Sequence, residues 1–263
     1  MKEMNEVLDV RKVLLGLCVD NKGDWDGIYT DIKSKKPLSK SDLERVNTID
    51  ETYITVVDDN YPTYLKDMHK PSFVLFYRGK LELLDESRTR MLVMNDNLAS
   101  NYSNETITNI SKGVVDKVVF VVKFGTKKEK ELIKVLVNKG AELVVVLNSG
   151  IDDIEDIDKE LYETLCNNHL VISEYPYIKD IKSKKTELNS LRLAVALSKC
   201  VLMGGITRKS IYYAGMGFAL SKDLMMMSIP FNAGTNYINN KMIKHGVELV
   251  ENEKDVIALL NML

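Results

Sequence analysis

LVISEYP (Leu170–Pro176), TELNSLRLAVALS (Thr186–Ser198) and KCVLMGGITRKSIYYAGMGFALSKDLMMMSIP (Lys199–Pro230) follow one another, with a lysine-rich turn between the first two. They read as strand, loop, helix, strand, loop, helix, strand. Leu170 to Ile172 and Cys200 to Met203 are short apolar runs, and Leu224 to Ile229 is a third in which methionine replaces the usual β-branched residues. Between them Leu188, Leu191, Val195 and Ser198 fall at helical spacing, as do Ile211, Ala214 and Phe218. Such alternation predicts an α/β fold, a mostly parallel sheet with helices on both faces. Ligands of these sheets bind where strands end and loops begin. The loops of this stretch carry Ser173, Glu174, Gly204, Gly205 and Ser210, which makes them candidates for lining a pocket.

The totals set the frame. The chain has 263 residues, 45% hydrophobic and 28% charged, an ordinary globular composition. No apolar run approaches the ~20 residues that span a membrane. The start, MKEMNEVLDVRK, carries acidic residues and no apolar core of a secretory signal. Cys18, Cys166 and Cys200 are odd in number and widely spaced, which predicts reduced thiols in a cytoplasm. Cys166 and His169 form a C-x-x-H pair that no second pair completes, so no metal site is expected. With 36 basic and 38 acidic side chains the net charge is −2, not the basic balance of an obvious nucleic-acid binder. The charge is segregated, however. Lys179 to Lys209 is basic and Asp152 to Glu163 acidic, so a local positive face is compatible with a neutral whole.

In chain order, residues 1–50 read as a short helical region. Val7, Val10, Leu14 and Leu17 line one face of a first helix, and Ser41 with Glu44 three residues on marks another helix start. Strands are expected at Tyr53 to Val57, Phe73 to Tyr77, Met91 to Met94, residues 117–122 (KVVFVV), Leu143 to Leu147 and Val247 to Val250. Helices are expected at Thr63 to Met68, Lys127 to Asn138 with Leu132, Val135 and Leu136 inward, Asp152 to Cys166, Asn240 to His245 and Asp255 to Leu263. Gly140 is placed to end the second of these.

The loops hold no dinucleotide fingerprint, no Walker A sequence and no Ser/His/Asp set. Met203-Gly204-Gly205-Ile206-Thr207 is the best phosphate-loop candidate, because glycines at a strand end let backbone N–H groups approach an anion. No second carboxylate stands at a visible spacing to pair with Glu174 for acid–base work.

The order of short motifs is more specific. Asn60-Tyr61-Pro62, Leu65 and Pro71 to Gly79 are followed by Ala99-Ser100-Asn101-Tyr102, Leu143 to Asp152, Ser173-Glu174-Tyr175-Pro176, Arg192 with Leu197-Ser198, and Pro230, Asn240, Met242-Ile243 and Gly246. Together they resemble the DprA/Smf family, the DNA-processing proteins of natural transformation, over about residues 51–262. The resemblance implies an extended Rossmann-like domain over 51–263, preceded by a shortened helical region. It implies single-stranded DNA bound in a positive pocket at the strand ends, delivery of a RecA-type recombinase onto that strand, a homodimer, no enzymatic activity and no cofactor. Several family features are altered: S-G-x-A-x-G-I-D falls around Lys123 to Lys128, where only an unmatched Gly125 remains, and in F-P-x-R-N-R the phenylalanine falls on Glu187, the first arginine on Ser190 and the asparagine on Leu191. The family's G-S/T-R falls on Asn95, Asp96 and Asn97, so its DNA-gripping arginine is absent, and the glutamate of its V-E-A falls on Gly205.

Cations that could still hold DNA are Lys123, Arg192, Arg208, Lys209, Lys241 and Lys244, all expected near strand ends or helix starts on one side of the sheet, with Ser210 beside them. Tyr102 or Tyr175 could stack on a base. Ser100 and Asn240 join the pocket-lining candidates. Two other functions remain open: a nucleotide-binding enzyme similar to the phosphoribohydrolases, whose glycine loop Met203 to Thr207 faintly resembles, and a relative that keeps only protein interactions.

Overall fold

The computed structural model describes residues 9–47, 49, 52–154, 158–176 and 181–263. Among the described residues nine strands form one sheet: β1 (Tyr53–Thr55), β2 (Val74–Gly79), β3 (Arg90–Met94), β4 (Val119–Lys123), β5 (Glu142–Val146), β6 (Leu170–Ser173), β7 (Cys200–Met203), β8 (Met225–Ser228) and β9 (Glu248–Leu249). Their order is β1-β2-β6-β5-β4-β3-β7-β8-β9. From β6 to β9 all pairs are parallel, whereas β2 pairs antiparallel with both β1 and β6. The chain builds outward from β3 to β6, then crosses back to lay β7 on the other side of β3. The boundary between β3 and β7 is therefore the topological switch point, where open α/β sheets form their crevice.

The central strands β3 to β7 are largely apolar because both faces are covered. Phe120, Val122, Leu143 and Val145 point into one core, and Val119, Val121, Val144 and Val146 into the other. The first face carries α1 (Val10–Asp20), α2 (Trp25–Lys33), α5 (Asn101–Gly113), α6 (Lys127–Asn138), α7 (Lys159–Asn168) and α11 (Glu253–Leu260), through residues such as Leu15, Ile28, Ile107, Ile133, Leu165 and Val256. The second carries α4 (Thr63–Lys66), α8 (Lys184–Ala196), α9 (Tyr212–Ser221) and α10 (Asn239–Lys244), through Leu65, Leu191, Met216 and Ile238. Leu14, Leu15, Leu17 and Cys18 of α1 share a core with Val74 and Phe76 of β2.

Several local expectations need correction. Val10 is exposed, and α1 turns Leu14, Leu15, Leu17 and Cys18 inward; Val7 lies outside the described residues. α3 (Lys40–Asn47) starts before Ser41. Its box is formed by Ser39, whose Oγ accepts from Asp42 N (3.1 Å) while Asp42 accepts from Ser39 N (2.9 Å). The acidic helix begins later than expected: Ile151–Ile154 is a 3-10 turn, and Asp158 caps α7 by accepting from Leu161 N. In α6 the sheet-facing residues are Ile133 and Leu136, while Leu132 and Val135 sit at the groove beside α5. Gly140, at φ +74°, ends that helix as expected.

His169 follows α7 and is buried, its Nδ1 without a hydrogen-bond partner. Burial, with Lys80 nearby, lowers its pKa below the ordinary 6.5. The folded state thus binds its proton more weakly than the unfolded chain. The stability this contributes is complete above about pH 6.5 and is lost as pH falls through the lower folded-state value. Urea titrations at descending pH are expected to show a steeper stability loss in the wild type than in His169→Gln. Parallel curves would contradict this.

Candidate nucleic-acid interface

All parallel strands deliver their C-terminal ends to one edge. At the switch point the loop after β3 (Asn95 to Ser100) faces the loop after β7 (Gly204 to Ser210), and side chains knit the two together. Asn95 Oδ1 accepts from Gly205 N (3.0 Å) and Ser103 Oγ (2.7 Å), and its Nδ2 donates to Asn104 Oδ1 (2.7 Å). Asp96 N donates to Gly205 O, and Thr207 Oγ1 donates to Asp96 Oδ2. Asn239, fully buried at the head of α10, accepts from Ile206 N and donates to Gly204 O and Ser228 Oγ.

The glycine loop is therefore not an empty anion cradle. Gly204 N donates to Met94 O, Gly205 N to Asn95 and Ser103, and Ile206 N to Asn239. The glycines serve close packing: a Cβ on Gly204 would lie 2.3 Å from Asn95 Oδ1, and one on Gly205 2.8 Å from Tyr237 Cε1. This removes the support for a phosphoribohydrolase-like loop. A cavity of about 200 Å³ opens beside it between α5 and α6, lined among others by Asn95, Asn104, Glu129 and Tyr212. Its buried carboxylate is engaged as well. Glu129 accepts from Gly125 N, Thr126 N and the Tyr212 hydroxyl. Burial and this carboxylate hold the Tyr212 phenol well above its usual pKa.

The cation candidates divide in two. Lys123, at the end of β4, is only 3% exposed; its ammonium lies 5.5 Å over the Tyr212 ring and 3.8 Å from Glu187. Arg192 lies in the middle of α8 rather than at a helix start. It is buried, its Nη2 2.5 Å from Glu174 Oε1 and its Nη1 donating to the carbonyls of His69 and Lys70. Ser72 Oγ donates to the same Glu174 oxygen. Glu174 and Arg192 thus form an internal staple, and neither is presented to solvent. Arg208, Lys209, Lys241 and Lys244 are exposed and make no ion pair among the described residues. Lys179, part of the basic stretch, lies outside the described residues.

The polar candidates are mainly architectural. Ser173 Oγ donates to Ser149 O and accepts from Tyr175 N. Ser100 caps α5 by accepting from Ser103 N. Ser210 Oγ accepts from Tyr212 N. Asn240 grips both backbone groups of Phe231. Tyr175 is buried, its hydroxyl accepting from Asn189, so it has no free face for a base.

Tyr102 is half exposed, and it belongs to a cluster that the motifs did not reveal. Its ring meets Phe231 edge-on at 5.6 Å, and Phe231 packs on Tyr237 at 4.3 Å. Tyr237 is anchored by the bridge to Thr207 and by its hydroxyl, which accepts from Ser100 N (2.9 Å). Arg208 and Lys209 follow that bridge directly, and Lys241 and Lys244 lie on the helix that begins two residues after Tyr237. Leu98, 85% exposed, sits on the facing loop. Aromatic residues in the turn-like run FNAGTNY (Phe231–Tyr237) were the available sequence signal.

Comparison with known proteins agrees with this architecture. The model of the family described as DNA recombination-mediator protein A matches residues 52–261. The DNA processing protein DprA of Streptococcus pneumoniae is 23% identical over 230 residues, 82% of this chain and 80% of that protein. The X-ray structure of DprA from Streptococcus pneumoniae superposes with a TM-score of 0.74 at 20% identity, covering 95% of this chain and 96% of that one. DNA processing protein A from Helicobacter pylori, whose structure concerns a single-stranded-DNA binding mode, gives a TM-score of 0.67 at 18% identity, over 81% of this chain and 97% of that one.

Proposed function

Since the chain belongs to the DNA recombination-mediator protein A family, we propose that it is a non-enzymatic single-stranded-DNA-binding protein whose contact surface is the switch-point edge of the sheet. The observation that carries this reading is the cluster Tyr102, Phe231 and Tyr237, fixed by backbone contacts and flanked by Arg208 and Lys209 after Thr207 and by Lys241 and Lys244 on α10, four exposed cations without an ion pair among the described residues. Bases of any sequence stack on aromatic faces, and phosphates are neutralised by lysine and arginine. The grip differs from the family pattern. Where the family has an arginine in the loop after β3, this chain has Asn95 and Asp96 tying loops together, and the cations come from the neighbouring loop and α10.

Fluorescence anisotropy with oligo-dT at low salt tests the reading. Binding is expected, with log affinity falling linearly against log salt. Replacing both Arg208 and Lys209 by alanine is expected to flatten that slope by roughly 1.4, at ~0.7 per phosphate contact on single strands. Absence of binding at micromolar concentrations of folded protein would end the DNA reading. By the same family membership the protein would deliver a RecA-type recombinase onto the strand and act as a homodimer. A RecA pull-down with and without DNA examines the first, and light scattering the second. Capture of RecA without any DNA affinity would support a purely protein-interacting role instead.

A further inference from the structure

On the second sheet face, away from the switch-point edge, a cavity of about 470 Å³ lies between α4, α8 and α9. Tyr64, Met68, Val195, Ala196 and Phe218 make its apolar walls, and Lys222 stands among its lining residues. Lys222 ends α9, half-buried, its ammonium 5.6 Å over the Tyr64 ring and donating to Ala196 O. Arg90 of β3 is fully buried and lies 4.7 Å over the same ring, its guanidinium committed to the carbonyls of Asp85, Arg88 and Leu197. Two cations thus share one aromatic ring. The other charged or titratable groups facing the cavity are Asp67 and His69 beyond α4 and Arg192 on α8, which is paired to Glu174. Among the described residues no carboxylate comes within ion-pair distance of Lys222. Its position next to Asp223 at the carbonyl end of α9 does not supply one.

We infer that Lys222 is a nucleophilic amine and a site of acylation by acyl phosphates, with the acyl group lodged in the apolar cavity. In the neutral form one N–H still donates to Ala196 O while the nitrogen lone pair attacks the acyl carbonyl. The C–N amide bond forms, the C–O bond to phosphate breaks, and phosphate leaves with the electron pair and takes up the proton released by nitrogen. Loss of the charge also removes the repulsion from Arg90. Burial, then Arg90, brings the Lys222 pKa down to about 8. At neutral pH roughly a tenth of it is then unprotonated, against well under a thousandth of an ordinary lysine.

The test treats the intact folded protein with acetyl phosphate across a pH series and quantifies each lysine by peptide mass spectrometry. Near pH 8, Lys222 is expected to acetylate about tenfold faster than the 85%-exposed Lys127. Its rate should level off about one pH unit higher, while that of Lys127 keeps rising. The preference should vanish in concentrated urea, and Lys222→Arg should remove the fast adduct from the intact-mass spectrum. A Lys222 rate no greater than that of Lys127, the absence of a plateau, or a fast adduct that persists in Lys222→Arg would each overturn the assignment.

Discussion

Arg192→Ala is expected to lower the stability of the fold by about 3–5 kcal/mol, the range for breaking a buried ion pair by removing one partner. The truncation leaves the Glu174 carboxylate buried with only Ser72 as a donor to Oε1, and it strips the carbonyls of His69 and Lys70 of their partner. Those carbonyls belong to a tight loop. Lys70 stands at φ +58° and Pro71 follows, and Arg192 holds α8 against this loop at the entry to β2. For a chain of this size the loss corresponds to a melting temperature lower by on the order of 10 °C. DNA affinity measured well below the transition should match the wild type, because the guanidinium is buried and committed to Glu174 and the loop carbonyls. Arg192→Met combined with Glu174→Gln should be less destabilised than Arg192→Ala, since no buried charge is then left unpaired. Unchanged stability with a large loss of DNA affinity would mean that the arginine contacts phosphate.

Tyr102→Ala should do the reverse. Its ring is half exposed and rests edge-on against Phe231, so its removal opens no buried cavity, and stability should change by less than about 0.5 kcal/mol. Affinity for oligo-dT should fall by about 1–3 kcal/mol, the cost of losing one base-stacking platform, or roughly 5- to 150-fold. The salt slope should stay as in the wild type, because no phosphate contact is deleted. Tyr102→Phe should recover most of the affinity, since stacking needs the ring and not the hydroxyl. A loss that the Phe variant fails to rescue would point to a hydroxyl contact instead.

The central strands could be read from the sequence because they are buried on both faces. KVVFVV and the run at Leu143 to Leu147 are apolar without interruption, and such runs between helical patterns leave little choice but a parallel sheet. The antiparallel pairing of β2 with β6 was not legible, because nothing local in Val74 to Gly79 specifies a partner that is about 95 residues distant in the chain. The site was legible only in part, for the same reason. Arg192 fits a family motif, yet the register of α8 turns it toward Glu174, a partner 18 residues away that no spacing rule singles out. The glycines at 204 and 205 resemble a phosphate loop until Asn95, 110 residues earlier, is seen to occupy the N–H of Gly205. Phe231 and Tyr237 lie in a Gly- and Asn-rich run that reads as a turn, and contacts distant in the chain, the bridge to Thr207 and the Ser100 N–H on the Tyr237 hydroxyl, bring them beside Tyr102. Tyr102 itself could be picked out because it falls in the family-like run Ala99-Ser100-Asn101-Tyr102.

Photo-crosslinking to oligo-dT, followed by mass-spectrometric mapping of the modified peptides, tests the location of the DNA surface most directly. Adducts are expected on Tyr102, Phe231 or Tyr237, all at the edge where β3, β7 and β8 end. Adducts confined to residues elsewhere on the protein, with these three rings unmodified in a protein that binds the strand, would contradict that location.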